Sequence, residues 1–355
     1  MREVKPIFDL TKAKERIDKG KLAKWWQRKG SKSRGFKYID ASGKNIGTKE
    51  DLERIASLVI PPAWKYVRIS PSAGSRLQAV GVDTVGRVQY LYHQKFSERQ
   101  QRRKFSKIEK FGEHLPQLRR ITNEHIALEG FPRDKVLAIM MRLINSLYFR
   151  VGTNESVRHY KTYGITTLQN RHLKIGKKGK LEFDFVGKSH IRHRRVLVDE
   201  DLANEMKHLR ELGGARKLFH YLDEAGKAVV VSPRDINDYL KAATAPEFSA
   251  KDFRTWGGTL LAAIELAEIG KGEDERQIKT NIVKAVKKVA AELGNTPSVC
   301  RSSYIHPAIL KAYEKGVTLD EFRPAKQRPI KKIESEYEPE EKALLKLLQD
   351  KVGDW

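Results

Sequence analysis

A run of apolar residues in the middle of the chain limits the folds that it can adopt. Between Leu137 and Asn145, every residue except Arg142 and Asn145 itself is apolar. A helix that is apolar on nearly all sides has to be buried among other elements. The run therefore predicts a mostly buried helix, inside a set of two or three helices that spans roughly residues 118–149.

The part of the chain before this run has the pattern of a sheet. Residues 65–94 alternate between apolar and polar side chains, with turn signals at 71–74 and 83–86, and residues 35–46 resemble a hairpin. The pattern changes from strand-rich to helix-rich at about 115–125. We therefore predict an α+β protein with a small β-rich N-terminal domain (1–117), a mainly α-helical domain (118–325) and an accessory tail helix (326–355).

Capping and breaking residues predict further elements. A helix is predicted for residues 9–29 because Gly30 can end it, and a second helix for Lys49–Leu58. A loop is predicted for residues 111–117 and strands for 171–198. The other predicted helices lie at about 200–212, 233–243, 250–269 and 275–294, with Pro307 and Pro339 as first residues of two more.

The charge of the chain favours a polyanionic partner. The formal net charge is +25, and 32% of the residues are charged, an excess that points to nucleic acid or an anionic membrane. The alternative is simply a highly charged surface. The segment Met1–Phe8 has no apolar core, no stretch is long enough to span a bilayer, and no basic amphipathic helix has an aromatic-rich face. We therefore expect a cytoplasmic protein with no membrane partner.

Aromatic and basic residues stand together near residue 90. Tyr90 and Tyr92 share one face of a predicted strand because strand side chains alternate. A basic helix follows it, with positive charges at Arg99, Arg102, Arg103, Lys104, Lys107 and Lys110. The tyrosines can brace or stack on nucleic acid, or they can pack against the core of the sheet. The spacing alone leaves both possibilities open.

Motifs for nucleotides and metals are not complete. Gly187-Lys188-Ser189 matches the end of a phosphate-binding loop, but the first glycine of that motif would fall on Glu182. Paired carboxylates for magnesium are not evident, and the single cysteine, Cys300, excludes an intrachain disulfide and zinc sites with two or more cysteines. We therefore expect no ATP site, no metal and no cofactor.

One set of residues fits phosphoryl transfer without a metal. Such a reaction needs a nucleophile, cations on the non-bridging oxygens and an acid for the departing oxygen. Tyr304 can attack if nearby cations favour its phenolate, and arginine forks match phosphate oxygens. The candidates are Tyr304, Arg150, Arg254, Lys188 on its turn, and Asn295 as an amide donor. The alternative is that the arginines are solvated and the tyrosine packs.

Ordered motifs over roughly residues 35–315 resemble the type IB DNA topoisomerases, in their small bacterial and poxvirus-like branch. In the N-terminal part the similar segments are 35–38 (Gly-Phe-Lys-Tyr), 60–64 (Ile-Pro-Pro-Ala-Trp), 77–81 (Leu-Gln-Ala-Val-Gly) and 89–93 (Gln-Tyr-Leu-Tyr-His). In the C-terminal part they are 147–152, 163–168, 185–188, 251–256, 295–297 and 303–307.

The resemblance implies a role for each candidate. Arg150 and Arg254 look like the two catalytic arginines of the family, and Lys188 looks like its general-acid lysine. Tyr304 looks like the tyrosine that forms a 3′-phosphotyrosyl link. Asn295 stands where poxvirus and nuclear members have histidine and bacterial members can carry asparagine, which suits a hydrogen-bond donor rather than an acid or base. The segment with Gln89, Tyr90 and Tyr92 resembles one that contacts DNA, and Arg102 and Arg103 follow it.

The resemblance also implies a fold, a reaction and a partner. The fold is that of the tyrosine recombinases and type IB topoisomerases, closing as a C-shaped clamp on duplex DNA. The reaction is relaxation of supercoils through transient cleavage of one strand, without ATP, by a monomer associated with the nucleoid. A tyrosine site-specific recombinase, which shares this chemistry, is the first alternative, and a non-catalytic DNA-binding module is the second.

Overall fold

A computed structural model of the chain describes residues 7–323 and 337–351. The predictions about the first six residues and about residues 326–336 and 352–355 of the tail lie outside the described residues. The chain divides into two compact units, the first ending at Lys104 and the second beginning at Phe105. The predicted α+β class is confirmed, while the predicted limits at 117/118 and 325/326 stay predictions.

The first unit is built on a five-stranded antiparallel sheet with the strand order β2-β1-β3-β4-β5. Its strands are β1 (Trp26–Ser31), β2 (Gly35–Ile39), β3 (Lys65–Ile69), β4 (Leu77–Val82) and β5 (Val88–Tyr92). Its helices are α1 (Leu10–Ile17), the 3₁₀ helix η1 (Gly20–Lys24) and α2 (Lys49–Ser57).

Both faces of this sheet are covered because β4 is apolar on both sides. Val80 and Val82 pack with Ile17 of α1 in one buried cluster. Ala79, whose side chain points the other way, belongs to a second cluster with Ile55 of α2. The predicted strands of residues 65–94 and the predicted second helix are confirmed.

The predicted helix over residues 9–29 is wrong. Helix α1 ends at Ile17, and Gly20 has φ +60°, a left-handed conformation that interrupts helical winding. Trp26 then begins β1 and pairs with Ile69. The hairpin predicted for residues 35–46 is confirmed, because Ile39 pairs with Asn45 across the turn that begins at Asp40. Strand β2 pairs in addition with β1, with Ser31 opposite Gly35.

Helix α3 (Gln94–Glu113) and helix α4 (Leu115–Ile126) replace the predicted loop at 111–117. Phe111 and Leu115 are both buried, so this segment contributes to the core. Pro116 lies in the first turn of α4, where the missing N–H costs no helical hydrogen bond. The predicted loop at 111–117 is therefore wrong, since Pro116 lies in the first turn of the next helix.

The second unit is mainly helical. After α4 it contains α5 (Arg133–Leu147), α6 (Asn154–Tyr160), η2 (Ile165–Thr167), η3 (Asn170–His172), β6 (Leu173–Ile175), β7 (Lys180–Val186), η4 (Lys188–His190), β8 (Arg192–Val198), α7 (Glu200–Glu211), β9 (His220–Leu222), β10 (Ala228–Val230), α8 (Pro233–Ala243), α9 (Ala250–Ile269), α10 (Glu275–Leu293), α11 (Pro297–Ser303), α12 (Pro307–Glu314) and α13 (Pro339–Lys351). Strands β6, β7 and β8 form an antiparallel sheet, and β9 pairs with β10.

The apolar run that opened the sequence lies in α5, and its burial is confirmed. All residues from Val136 to Ile144 are buried. Helix α9 is buried almost as fully along its first half, including Phe253, Trp256 and the charged Arg254. These two helices therefore form the centre of the unit.

Helix α13 belongs to the same core. Leu344 and Leu348 have no exposed surface. Arg119 of α4 donates two hydrogen bonds to the carboxylate of Glu341, at 2.9 and 2.7 Å, and both side chains are buried. Because a buried charge is costly without its partner, this pair fixes how α13 is seated.

Candidate active site

Tyr304 lies between two short helices. It ends α11, where its N–H donates to the carbonyl of Cys300 at 2.9 Å, and α12 begins three residues later. Its own carbonyl oxygen approaches α9, where a β-carbon placed on Gly258 would lie only 2.6 Å from it. Only glycine allows this approach, so the backbone of Tyr304 rests directly on the helix that carries Arg254.

Arg254 is held rigidly beside Tyr304. Its side chain is almost fully buried, and its guanidinium donates to the carbonyl oxygens of Tyr148, at 2.6 Å, and Leu293, at 2.7 Å. The guanidinium carbon lies 4.9 Å from the centre of the Tyr304 ring. Two backbone acceptors thus orient this cation against the tyrosine.

Arg150 also contacts the C-terminal end of α10, where Leu293 is the last helical residue. Its guanidinium donates to the carbonyl oxygens of Leu293 at 3.5 Å and Gly294 at 3.2 Å, and also to Oδ1 of Asn295. The last carbonyl oxygens of a helix lack helical partners and form the negative end of its dipole. The carbonyl oxygens at the C-terminus of α10 therefore bind both arginines and hold the two positive charges close together.

Asn295 presents an unused donor to this site. Its oxygen accepts the hydrogen bond from Arg150, so its amide nitrogen has to point elsewhere. Within residues 7–323 and 337–351, neither that buried nitrogen nor the buried Nε of Arg254 has a hydrogen-bond partner. A buried donor without a partner costs about 1–3 kcal/mol. The site is thus short of acceptors, which the oxygens of a phosphate can supply.

The electrostatics of the site favour an anion. Burial, together with the charge of Arg150, lowers the pKa of Arg254 to about 10. Burial raises the pKa of the Tyr304 phenol, but the charge and hydrogen bond of Arg254, with the charges of Arg150 and Lys251, together lower it by more, so it lies below the usual value for tyrosine. At neutral pH the two guanidinium groups remain charged, and they favour both a bound phosphate and a phenolate.

Lys188 is not in contact with this cluster. It lies in η4 at the turn between β7 and β8, and its side chain is exposed. Ser189 and His190, which follow it, have left-handed φ values of 63° and 58°. No hydrogen bond or ion pair of the described residues involves Lys188. The structure therefore brings together Tyr304, Arg150, Arg254 and Asn295, and presents Lys188 on a turn that projects from the sheet.

The N-terminal candidates lie on the surface of the first unit. Tyr90 and Tyr92 are 37% and 45% exposed, and their ring centroids are 6.4 Å apart on one face of β5. This exposure rules out the alternative that they pack in the core. Arg102 and Arg103 are exposed on α3, whereas the side-chain amide of Gln89 donates to Asp83 at 2.8 Å.

Two residues near the site were not found from the sequence. The carbonyl oxygen of Tyr148 holds Arg254, and a backbone contact leaves no signal in the residue type. His193 is buried on β8, and burial with the charge of Arg195 lowers its pKa to about 4. A histidine at an inward position of a strand, flanked by arginines, is the signal that could have indicated it.

Neither a metal cluster nor a membrane span is found in the part of the chain that the structure describes. There, no three side chains of histidine, cysteine, aspartate or glutamate come together in a way that could hold an ion. In the same residues, no helix combines the length and the apolarity needed to cross a bilayer.

Comparison with known proteins gives consistent matches along the chain. Residues 93–331 match the family model of the eukaryotic DNA topoisomerase I catalytic core, and residues 35–83 match that of the bacterial DNA topoisomerase IB N-terminal domain. DNA topoisomerase 1B of Acanthamoeba polyphaga mimivirus is 32% identical over 289 residues, which are 79% of this chain and 84% of the relative.

More distant relatives agree with these matches. DNA topoisomerase 1 of Rabbit fibroma virus (strain Kasza) is 26% identical over 67% of this chain and 72% of its own. DNA topoisomerase 1B of vaccinia virus (strain Copenhagen) is 22% identical over 72% and 78%, respectively. A solved complex of the XerH site-specific recombinase with its difH substrate aligns with a TM-score of 0.34 and 14% identity, over 54% of this chain and 48% of that one. That score is too low to bear on the choice between the two enzyme classes.

Proposed function

Because this chain belongs to the type IB DNA topoisomerase family, as its sequence motifs predicted, we propose that it relaxes supercoiled duplex DNA by cutting and resealing one strand. The observation that carries the proposal is the contact between Tyr304 and the guanidinium of Arg254. Two buried donors of the site, Nε of Arg254 and the amide nitrogen of Asn295, lack hydrogen-bond partners in the described residues. A DNA phosphate would supply the missing acceptors and would lie within reach of the phenol oxygen.

In the proposed reaction Tyr304 loses its proton to solvent, and its phenolate oxygen attacks the phosphorus of one strand. A bond forms between this oxygen and the phosphorus, and the bond from the phosphorus to the 5′ oxygen breaks. The guanidinium groups of Arg150 and Arg254 stabilise the charge that develops on the non-bridging oxygens, and the amide nitrogen of Asn295 donates a further hydrogen bond. These donors are fixed in advance by backbone carbonyls, so little reorganisation is needed.

The leaving 5′ oxygen takes its proton from the ammonium group of Lys188. Its flexible stem and exposed turn suit a donor that reaches into a DNA groove. The cut end then rotates about the intact strand. The 5′ hydroxyl gives its proton back to the neutral Lys188 amine and attacks the phosphorus, and the bond from the phosphorus to the Tyr304 oxygen breaks, which restores the strand. One phosphodiester is exchanged for another at each step, so no ATP is consumed.

Relaxation of a negatively supercoiled plasmid in EDTA, without ATP, tests this function. We expect complete relaxation by the purified protein, even on a plasmid that lacks any repeated sequence. A requirement for paired sites, or for a dimer in sedimentation at the assay concentration, would favour the recombinase alternative. Binding without any covalent adduct after denaturation by detergent would favour a DNA-binding module.

Contacts with DNA outside the active site are also proposed. Tyr90, Tyr92 and Gln89 on β5 and Arg102 and Arg103 on α3 contact the duplex, as the matching segment of the family suggests. The exposed tyrosine rings and the adjacent positive charges support this assignment. The protein then acts as a monomer that closes as a clamp around chromosomal DNA in the nucleoid.

The salt dependence of binding provides a measurement for these contacts. Each cation that neutralises a phosphate releases a counterion, so affinity should fall steeply as salt rises. We expect Arg102→Ala and Arg103→Ala each to reduce the slope of log K against log salt by about 1, as measured by fluorescence anisotropy on a duplex. An unchanged slope in both variants would contradict their assignment to the interface.

A further inference from the structure

His193 lies between two parts of the proposed active site. It is buried on β8 and stacks on Phe185 of the neighbouring strand, with ring centroids 5.2 Å apart and planes at 20°. A β-carbon placed on Gly187 would lie 2.6 Å from Cδ2 of the histidine, and one placed on Gly294 would lie 2.4 Å from its Cε1. The imidazole is therefore in direct contact with the backbone at both glycines.

These two glycines adjoin residues with proposed roles. Gly187 precedes Lys188, and Gly294 precedes Asn295. Gly187 has φ −98°, which any residue can adopt, so its lack of a side chain leaves room for the imidazole rather than for an unusual backbone. The outer edge of the imidazole, from Cδ2 to Cε1, thus lies between the turn with Lys188 and the loop with Asn295.

A second contact fastens the same strand to the same loop. Arg195, two residues further along β8, donates to the carboxylate of Glu292 at 3.0 Å and also to the backbone carbonyl of Glu292. Glu292 lies in the last turn of α10, just before Leu293 and Gly294. Strand β8 is therefore fixed to the end of α10, and the turn that β7 and β8 support is fixed with it.

We propose that His193 is a positioning residue, whose ring holds the β7–β8 turn at the distance from the Gly294–Asn295 loop that lets Lys188 reach the leaving 5′ oxygen. This inference rests on the proton-donor role proposed for Lys188. The histidine itself does not serve as the acid, because burial and the charge of Arg195 lower its pKa to about 4 and keep it neutral near pH 7. No hydrogen bond of the described residues involves its ring, so packing alone orients it.

The test uses two duplex substrates in single-turnover cleavage. One has the ordinary 5′ oxygen at the cut, and the other has sulfur in its place. When the bond from phosphorus to sulfur breaks, the thiolate leaves with the electron pair and needs no proton, because a thiol is far more acidic than an alcohol. The sulfur substrate therefore restores cleavage only to variants whose defect is in proton donation.

We expect Lys188→Ala to cut the oxygen substrate about 10²-fold more slowly than the unaltered protein, and to cut the sulfur substrate at nearly the unaltered rate. His193→Ala should also be slowed about 10²-fold on oxygen, because a displacement of about 1 Å can cost that much, and should likewise recover on sulfur. The double variant with both changes should cut the oxygen substrate no more slowly than Lys188→Ala, since both changes remove the same proton donation.

Two further variants separate positioning from loss of folding. His193→Phe keeps a flat ring between the glycines and should cut the oxygen substrate at close to the unaltered rate. His208→Ala, the same change as His193→Ala at an exposed position of α7, should have no effect. Thermal unfolding and duplex binding of each variant show whether it is folded.

The outcomes distinguish the two levels of the proposal. If Lys188→Ala stays slow on sulfur, the proton-donor role of Lys188 itself fails. If Lys188→Ala recovers on sulfur and His193→Ala does not, only the positioning role of His193 is overturned. A folded His193→Phe variant that is as slow as His193→Ala on oxygen and stays slow on sulfur would also overturn it, because its defect would then lie outside proton donation.

Discussion

Replacing Tyr304 by phenylalanine is expected to abolish relaxation and leave duplex binding intact. The substitution removes only the phenol oxygen, and the ring can still lie beside the guanidinium of Arg254, now 4.9 Å from the ring centre. Loss of the nucleophile should reduce cleavage by at least about 10⁴-fold, because the other residues of a catalytic unit contribute little once its nucleophile is removed. Plasmid relaxation and detergent-trapped covalent adduct measure the loss, and a gel-shift assay measures binding.

Tyr239→Phe is the matched control for this experiment. Its hydroxyl, in α8, is hydrogen-bonded to Nδ1 of His125 at 2.8 Å, so the change removes a largely buried phenol oxygen that has a different partner. We expect relaxation to persist in this variant. Full relaxation by purified Tyr304→Phe would show that another group attacks the phosphate, and the proposed mechanism would then be wrong.

Replacing Arg254 by alanine should slow single-turnover cleavage by about 10³-fold, the upper end of the usual effect of one transition-state donor. Its buried position and its bonds to the carbonyls of Tyr148 and Leu293 are the reason to expect the upper end. Arg234→Ala, at an exposed position of α8 where the arginine pairs with Asp238, should stay within about twofold of the unaltered rate. Lower affinity for the duplex with normal cleavage would contradict the role assigned to Arg254.

The same variant should change the pH dependence of cleavage. In the unaltered protein the charge and hydrogen bond of Arg254, with the charges of Arg150 and Lys251, outweigh burial and lower the pKa of Tyr304. Without Arg254, the effect of burial weighs more and the pKa rises, so a smaller fraction of the phenol is ionised at a given pH. The rate of Arg254→Ala should therefore continue to increase to higher pH. If the pH–rate profile of Arg254→Ala, after scaling, superimposes on that of the unaltered protein, Arg254 does not affect the pKa of Tyr304 and acts only through its contacts with the phosphate.

Periodic patterns made most of the fold predictable. The apolar run of α5 was predicted because the helix is buried on nearly all sides. The strands β3, β4 and β5 were predicted from their apolar positions, which in β4 lie on both faces of the sheet. The helix predicted for residues 9–29 failed because Trp25 and Trp26 fit a helix and a strand equally well in isolation. The segment that begins at Trp26 forms a strand because it pairs with β3, which is distant in sequence.

The candidate site was predictable only where side chains act directly. Tyr304, Arg150, Arg254 and Asn295 carry chemistry that their residue types reveal, and the order of the motifs around them indicated a family. The support of these groups was hidden, because the carbonyl of Leu293 could belong to any residue. The role proposed for His193 depends on two glycines distant in sequence from each other, and no local pattern indicates such a contact.

The seating of α13 has a consequence for the newly made protein. This helix follows Tyr304 in the chain, and Leu345 of α13 and Trp256 of α9 both lie against Gly112 of α3. During translation the helix with Arg254 therefore leaves the ribosome well before its last packing partner does. Since a domain folds as a unit, we expect a nascent chain whose Tyr304 has already left the ribosome to be unable to cut DNA until α13 has emerged as well.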